Sequence, residues 1–409
     1  MPVLIKVVGV GGAGGNAING MVSTTQNLQG VEFIAMNTDQ QALHTSLAGR
    51  KLALGHSSTG GLGAGGRPEV GEAAAKESRQ EITELLVGAD MVFITAGMGG
   101  GTGTGAAPVV AEIAKGLGCL TVGVVTSPFQ FEGRSRARQA AVGLAALEKH
   151  ADALLVVAND RLLQIIPSRM SMTDAFLVAD DILRQGVIGT SELILRPGLI
   201  NVDFADVRSV VQNSGSALIG IGTGVGPTRA QDAAVGAICS PLLDYPISGA
   251  SGIIFNIVGG PDMTLSEVSA AAQVVQDNVH PDANIIIGAL VDDRAGKEVS
   301  VTVVATGFQH MTTGAPGRQQ RQQPESAPPA TAMGDARQGA EARRRAPAVA
   351  DQQWQPAPPP VPQDPYINGG FSPPNGAQRG GSYGPSNGAP KGSSGSGKGK
   401  GLLGRLFGR

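Results

Sequence analysis

The chain of 409 residues holds two cysteines, five histidines and no long apolar run, and each shortage removes a class of protein. Cys119 and Cys239 each sit in an apolar stretch, and neither belongs to a CxxC pair. That spacing excludes a disulfide framework and reads as two buried, reduced thiols. The histidines are scattered without ligand spacing, so no metal site built on His and Cys is expected. No apolar run approaches the roughly 18 residues that a membrane-spanning helix needs. The opening MPVLIKVVGV lacks the basic start and cleavage site of a signal peptide, so cytoplasmic residence is the expectation. A surplus of positive charge is missing too. The net charge is −2, and from Met311 onward 12 Lys/Arg stand against 5 Asp/Glu, a tail of +7 that leaves −9 on the rest. An acidic body is not built to bind nucleic acid.

What is present is unevenly placed. Fifteen of the 26 prolines follow His310, in a stretch rich in Gly, Gln, Ser and Ala and poor in aliphatic residues. Such a segment cannot bury enough apolar surface to offset its chain entropy and is expected to be disordered. Residues 1–310 carry the aliphatic runs. Short runs at Leu4–Val10, Phe33–Met36, Met91–Ala96, Leu120–Thr126 and Ala153–Val157 alternate with helical patterns at Asn16–Met21, Glu69–Leu86, Thr104–Leu117 and Ser135–His150. Alternation of this kind with near-continuous apolar strands predicts an α/β fold with a Rossmann-like parallel sheet covered on both faces. A long helical pattern from Thr173 to about Ile194 ends at the breaker Arg196-Pro197-Gly198. Strands at Ala217–Ile221, Ile253–Val258, Asn284–Leu290 and Val299–Ala305, with helices at Ala230–Cys239 and Leu265–Val279, then predict a smaller α/β domain docked on the long helix. The divisions expected are a nucleotide domain (1–172), a central helix (173–198), a second domain (199–310), a disordered linker (311–400) and a short amphipathic end (401–409).

Two glycine-rich segments carry the chemistry. Gly9-Val10-Gly11-Gly12-Ala13-Gly14-Gly15-Asn16 follows a strand and opens a helix, where free N–H groups and the helix dipole suit a phosphate. Alone it is ambiguous, because it contains GxGxxG and Asp39 follows a second strand, as the ribose acid of an NAD-dependent oxidoreductase would. Gly97-Met98-Gly99-Gly100-Gly101-Thr102-Gly103-Thr104-Gly105 is a second strand-to-helix cradle that a dinucleotide fold does not need. Two such turns on one sheet edge can hold one triphosphate, with the Thr102 and Thr104 hydroxyls as added donors. The P-loop-like Gly392–Lys398 has no strand before it and is a low-complexity coincidence.

GGGTGTG at Gly99–Gly105, NTDQQAL at Asn37–Leu43, GLGAGGRPEVG at Gly61–Gly71, FQFEGRSR at Phe129–Arg136 and NVDFADVR at Asn201–Arg208 together resemble the tubulin/FtsZ family, over about residues 3–308. The resemblance implies a GTPase that polymerises head to tail and forms the cytokinetic ring at the division site, with hydrolysis completed by a loop of the adjacent subunit. It places Gly12, Ala13, Gly14, Gly15, Asn16, Gly101, Thr102 and Gly103 around the phosphates, Glu132 and Arg136 at the ribose and phosphate side, and Asn159 and Asp180 at the guanine. It gives the catalytic loop Asn201, Asp203 and Asp206. It implies GTP/GDP and Mg²⁺ as cofactors, and as partners a second copy of the chain and an adaptor or membrane tether on the tail. A nucleotide-binding structural relative with incidental hydrolysis is the other reading within the family. On their residue types alone, Glu132 and Arg136 are a plain i,i+4 pair, Asp180 beside Asp181 is a solvated face, and Asp203 and Asp206 are helix-capping acids. The end GLLGRLFGR departs from the family's DIP-x-FL-like motif.

Overall fold

The computed structural model describes residues 3–24, 30–167, 169–196, 198–200, 202–243 and 245–308. The expected linker and terminal peptide, with Trp354, lie outside the described residues, as does Asn201. Strands β1 (Ile5–Val10), β2 (Val31–Asn37), β3 (Arg50–Ala53), β4 (Met91–Gly97), β5 (Leu120–Ser127) and β6 (Ala153–Ala158) are all parallel, in the order β3-β2-β1-β4-β5-β6. Their side chains alternate between two apolar layers, the period of two that a sheet imposes. Val7, Phe93 and Val124 enter one layer, and Val8, Ile94 and Val125 the other. Burial on both faces is why these strands are written as unbroken aliphatic runs.

The helices of this half are α1 (Gly11–Thr24), α2 (Gln40–Thr45), α3 (His56–Thr59), α4 (Pro68–Glu77), α5 (Arg79–Leu86), α6 (Thr102–Gly116), α7 (Arg134–Glu148) and α8 (Asn159–Ile165). Three differ from expectation. The amphipathic pattern from Glu69 to Leu86 is two helices, not one. Ser78 between them is buried and its hydroxyl accepts the Gly55 N–H at 3.1 Å, so a tertiary bond replaces helical continuity. α1 starts at Gly11 and α6 at Thr102, each earlier than expected, so the first glycine run forms the opening turn of its helix and the second runs into its helix only from Thr102 on.

The long helix α9 (Met172–Leu195) buries Val178, Ile182, Leu183, Gly186, Val187 and Thr190, an i, i+3/i+4 stripe. Beyond it come α10 (Phe204–Val211), β7 (Gly215–Val225), α11 (Arg229–Ile238), β8 (Gly252–Gly259), α12 (Leu265–Gln276), β9 (Asn284–Val291) and β10 (Glu298–Thr306). These strands do not form a separate sheet. The first three residues of β7 pair in parallel with β6, and its remainder pairs antiparallel with β10, so ten strands run as one sheet ending β6-β7-β10-β8-β9. One apolar layer joins Val124 and Leu155 of the first half to α9 and to Ile221, Ile254 and Ile286 of the second. Gly220, Gly222 and Gly224 alternate along β7 under α11, where any Cβ would collide with the carbonyls of Ala237, Ala233 and Arg229. Cys119 is buried as expected, and desolvation holds its thiol pKa up; Cys239, expected to be buried, is exposed at the α11 C-cap. Among the described residues no helix is long and apolar enough to cross a membrane.

Candidate functional site

The strand order reverses direction between β1 and β4, because the chain leaves β1 toward β2 and returns on the other side at β4. In an open parallel sheet, the crevice at the carboxyl ends of such strands is where ligands sit. β1 ends at Val10 and β4 at Gly97, and a glycine run follows each. The two runs touch. Gly11 has φ +75°, a conformation other residues rarely adopt, and a Cβ there would lie 2.9 Å from the Gly103 nitrogen. The first turns of α1 and α6 therefore meet at the switch point, and each offers N–H groups with no intrahelical partner.

Space divides the glycines into two kinds. A Cβ at Gly9 or Gly14 would collide with the carbonyl oxygen of Gly14 or of Thr95 respectively, so these two let α1 lie close on the sheet. At Gly12, Gly15 and Gly100 a Cβ would meet nothing within 4 Å, so the crevice is open there. Thr102 and Thr104, expected as a pair of donors, are separated. Thr104 is 3% exposed, and its Oγ1 accepts the Gly99 N–H at 2.7 Å, which holds the loop. Thr102 Oγ1 stands 2.6 Å from Thr38 Oγ1, which ties the second loop to the end of β2. Asp39, the ribose acid of the oxidoreductase reading, is committed elsewhere: it caps α2, accepting from the Gln41 and Ala42 N–H groups at 2.9 and 3.3 Å.

A third glycine-rich segment closes the crevice. Gly61 accepts from the Gln40 N–H at 3.0 Å, and the Gly63 N–H donates to the Thr38 carbonyl at 3.1 Å. A Cβ on Gly101 would lie 2.8 Å from the Ala64 Cβ and 2.9 Å from the Arg67 nitrogen. The N-terminus of α4 is thus wedged against that of α6.

The residues expected at the base and ribose follow β5 and β6 and lie in the first turns of α9. Glu132 Oε1 accepts the Phe129 N–H at 3.1 Å, and Oε2 is ion-paired with Arg136, so the simple i,i+4 pair is present. Asn159 is 7% exposed, and its Oδ1 is buried without a hydrogen-bond partner. Asp180 is not a solvated face: it is partly buried, and desolvation lifts its pKa from 3.8 to about 6. Its neighbour Asp181 is bonded to Arg184 and Gln185. A buried acceptor without a partner, as at Asn159 Oδ1, and a desolvated carboxylate, as at Asp180, are costly unless something donates to them. Phe176 escaped the sequence reading. It lies four residues before Asp180 on the same helix face, 43% exposed, edge-on to Phe129 at 5.8 Å. An aromatic one turn ahead of an acid on the long helix was the available signal.

Asp203 and Asp206 lie at the opposite edge of the sheet. α9 starts beside Phe129, past the carboxyl end of β5, and ends with Leu195 against Gly30, just before the amino end of β2. Its 24 residues span about 36 Å at 1.5 Å each. After α9, the Leu199 N–H donates to the Ala289 carbonyl at 2.9 Å, and Ile200 bridges Ala289 on β9. Arg196 pairs with Glu192 at 3.2 Å and Asp292 at 3.8 Å, fixing the exit from the helix. Asp203 then caps α10, accepting the Asp206 N–H at 2.8 Å, and Asp206 occupies the first turn; both are exposed. The capping role is real, and it leaves Asp203 Oδ2 and the Asp206 carboxylate facing solvent. The structure therefore gathers the glycine loops at one edge, sets Glu132, Arg136, Asn159 and Asp180 along that edge, and holds the acidic loop a helix length away. Among the described residues no group of three His, Cys, Asp or Glu is placed to hold a metal ion.

The family model for the tubulin/FtsZ GTPase domain matches residues 4–167, and that for the FtsZ C-terminal domain matches residues 215–309. An FtsZ dimer from M. jannaschii shares 47% identity, with 76% of this chain and 89% of that one covered and a TM-score of 0.72. A CetZ2 protofilament with GTPγS bound, from Haloferax volcanii, has 23% identity over 74% and 92% of the two chains at a TM-score of 0.64, a likeness of fold.

Proposed function

We propose, because this chain belongs to the FtsZ family of tubulin-like GTPases, that it binds GTP in the crevice between β1 and β4 and hydrolyses it between subunits stacked head to tail. The observation that carries the reading is the helix-length separation between the glycine crevice and the Asp203–Asp206 loop. One chain cannot bring the two together. A second copy translated along α9 presents its acidic loop to the crevice of the first. That contact is heterologous and does not close on itself, so it generates a filament.

In the crevice, the N–H groups of Gly12, Ala13, Gly14, Gly15 and Asn16 and those of Gly101, Thr102 and Gly103 hold the phosphates, with the Thr102 hydroxyl beside them. The guanine N–H groups donate to Asp180 and to the Asn159 amide oxygen, which adenine cannot do at both positions, and Phe176 stacks on the ring. Glu132 accepts from the ribose hydroxyls, and Arg136 stays near the phosphate side. Asp203, Asp206 and Asn201 of the neighbour orient the attacking water. Phosphoryl transfer asks little covalent chemistry of the protein, so placement of water and charge suffices. Mg²⁺, when bound through the phosphates, neutralises charge on the leaving group without a protein cage. The filament is the cytoplasmic ring at the division site, held to an adaptor or membrane by residues 401–409.

The decisive experiment is specific GTPase activity across a wide dilution series. A split site requires turnover per molecule to rise above a threshold concentration, coincident with light scattering. Constant turnover per molecule would sink the intersubunit site.

A further inference from the structure

The three glycine-rich segments, Gly9–Asn16, Gly60–Gly71 and Gly97–Gly105, carry a single cation among them, Arg67. It is the N-cap of α4, with φ −105° and ψ 111° and no side-chain cap bond, and its backbone lies against Gly101 of the second loop. Its side chain is exposed, and among the described residues it makes no ion pair or side-chain hydrogen bond. The acids next on its helix do not neutralise it: Glu72 is paired with Lys76 at 2.6 Å, and Glu69 lies in the first turn without an ion pair to Arg67.

The strand order says which part of a nucleotide would reach it. Base-side residues follow β5 and β6, and the two touching glycine loops follow β1 and β4. The third segment follows β3 and is bridged to the turn after β2. The carboxyl edge thus runs from β6 through β5, β4 and β1 to β2 and β3. A nucleotide with its base at the β6 end extends its last phosphate toward the β2–β3 end. Along the second loop the order is the same, with Gly103 against the first loop and Gly101 against Arg67.

We infer that Arg67 is the side chain that reads the terminal phosphate, so that this chain distinguishes GTP from GDP by a guanidinium as well as by backbone N–H groups. The inference rests on the GTP-binding reading above. Arginine offers a planar fork of donors matched to two phosphate oxygens, and such charge-assisted bonds are the strong ones. GDP lacks that group and leaves the guanidinium in water, where it began.

The test is equilibrium binding of GDP and of a non-hydrolysable GTP analogue to the parent, Arg67→Ala and Arg67→Lys proteins, at concentrations below assembly. Arg67→Ala should weaken the triphosphate about ten- to hundredfold, the scale of one charged hydrogen-bonding group, and leave GDP within about twofold. Arg67→Lys should fall between. Retained GDP affinity certifies that the variant is folded. Equal loss of both nucleotides means that Arg67 supports the loop, and an unchanged ratio means that it faces elsewhere; either overturns the inference. An unchanged ratio with lost assembly assigns it to the neighbouring subunit and overturns it too. Failure of the parent to bind either guanine nucleotide would instead overturn the functional reading itself.

Discussion

Asp180→Asn should make the unliganded protein more stable while it weakens nucleotide binding. Burial raises the Asp180 pKa from 3.8 to about 6, a difference of about 2 units. At 1.36 kcal/mol per unit this is about 3 kcal/mol of strain in the ionised, folded form. The sign follows from proton counting. Between pH 3.8 and about 6 the folded protein holds a proton that the unfolded chain has released. Stability falls as pH rises through that window, and the whole deficit is present above about 6. An amide of the same shape carries no such penalty. Urea unfolding of nucleotide-free parent and Asp180→Asn proteins near neutral pH should therefore differ by up to about 3 kcal/mol in favour of the variant, and the gap should close toward pH 4. Guanine relieves the same strain by donating to the carboxylate. GDP affinity of the parent should hence drop about tenfold per pH unit below about 6, and that dependence should vanish in Asp180→Asn. Equal stability of the two apo proteins near neutral pH, or parent GDP binding that stays flat as pH falls to 5, refutes the buried guanine acceptor.

Asp206→Ala should keep GTP binding and lose hydrolysis by roughly 10²-fold, the scale of one positioned polar group in a transition state; loss of binding in a folded variant counts against the assignment. Asp203→Ala should do the same and also destabilise the protein by about 1 kcal/mol, because it removes the α10 cap, a difference that chemical unfolding of the two variants separates. Deleting Leu402–Arg409 should leave GTPase activity intact and abolish recruitment of filaments to their tether, since valency along a polymer multiplies a weak end-group affinity; retained recruitment of the deletion to vesicles or adaptor speaks against that role.

The parallel first sheet, the long helix and the two glycine-rich strand-to-helix turns were legible in the sequence because each is written in local pattern. Aliphatic runs mark strands buried on both faces, and glycine density marks turns where backbone comes close to a neighbour. Local pattern fails where a partner is distant in sequence. The helix from Glu69 is split at Ser78 by a bond to Gly55, and no periodicity within the helix announces that. β7 reads as an ordinary strand, yet its two ends pair with different halves of the chain.

The site divides in the same way. Residue types gave Asp180 as a solvated acid, and only its partial burial in the folded chain makes it a desolvated acceptor. Which glycines face a ligand and which merely let helices approach depends on what stands across from them: Thr95 across from Gly14, open space beside Gly12 and Gly15. The sequence by itself determined that the chain carries a Rossmann-like α/β fold with two glycine-rich strand-to-helix turns and an acidic loop after a breaker. The tertiary structure alone decided that cradle and loop occupy opposite edges of one sheet. The reason is that helix length and direction are read locally, but the edge at which a helix ends depends on how it crosses the sheet. α9 runs against the strands, from the carboxyl edge to the amino edge, and so it separates the groups that a filament would reunite.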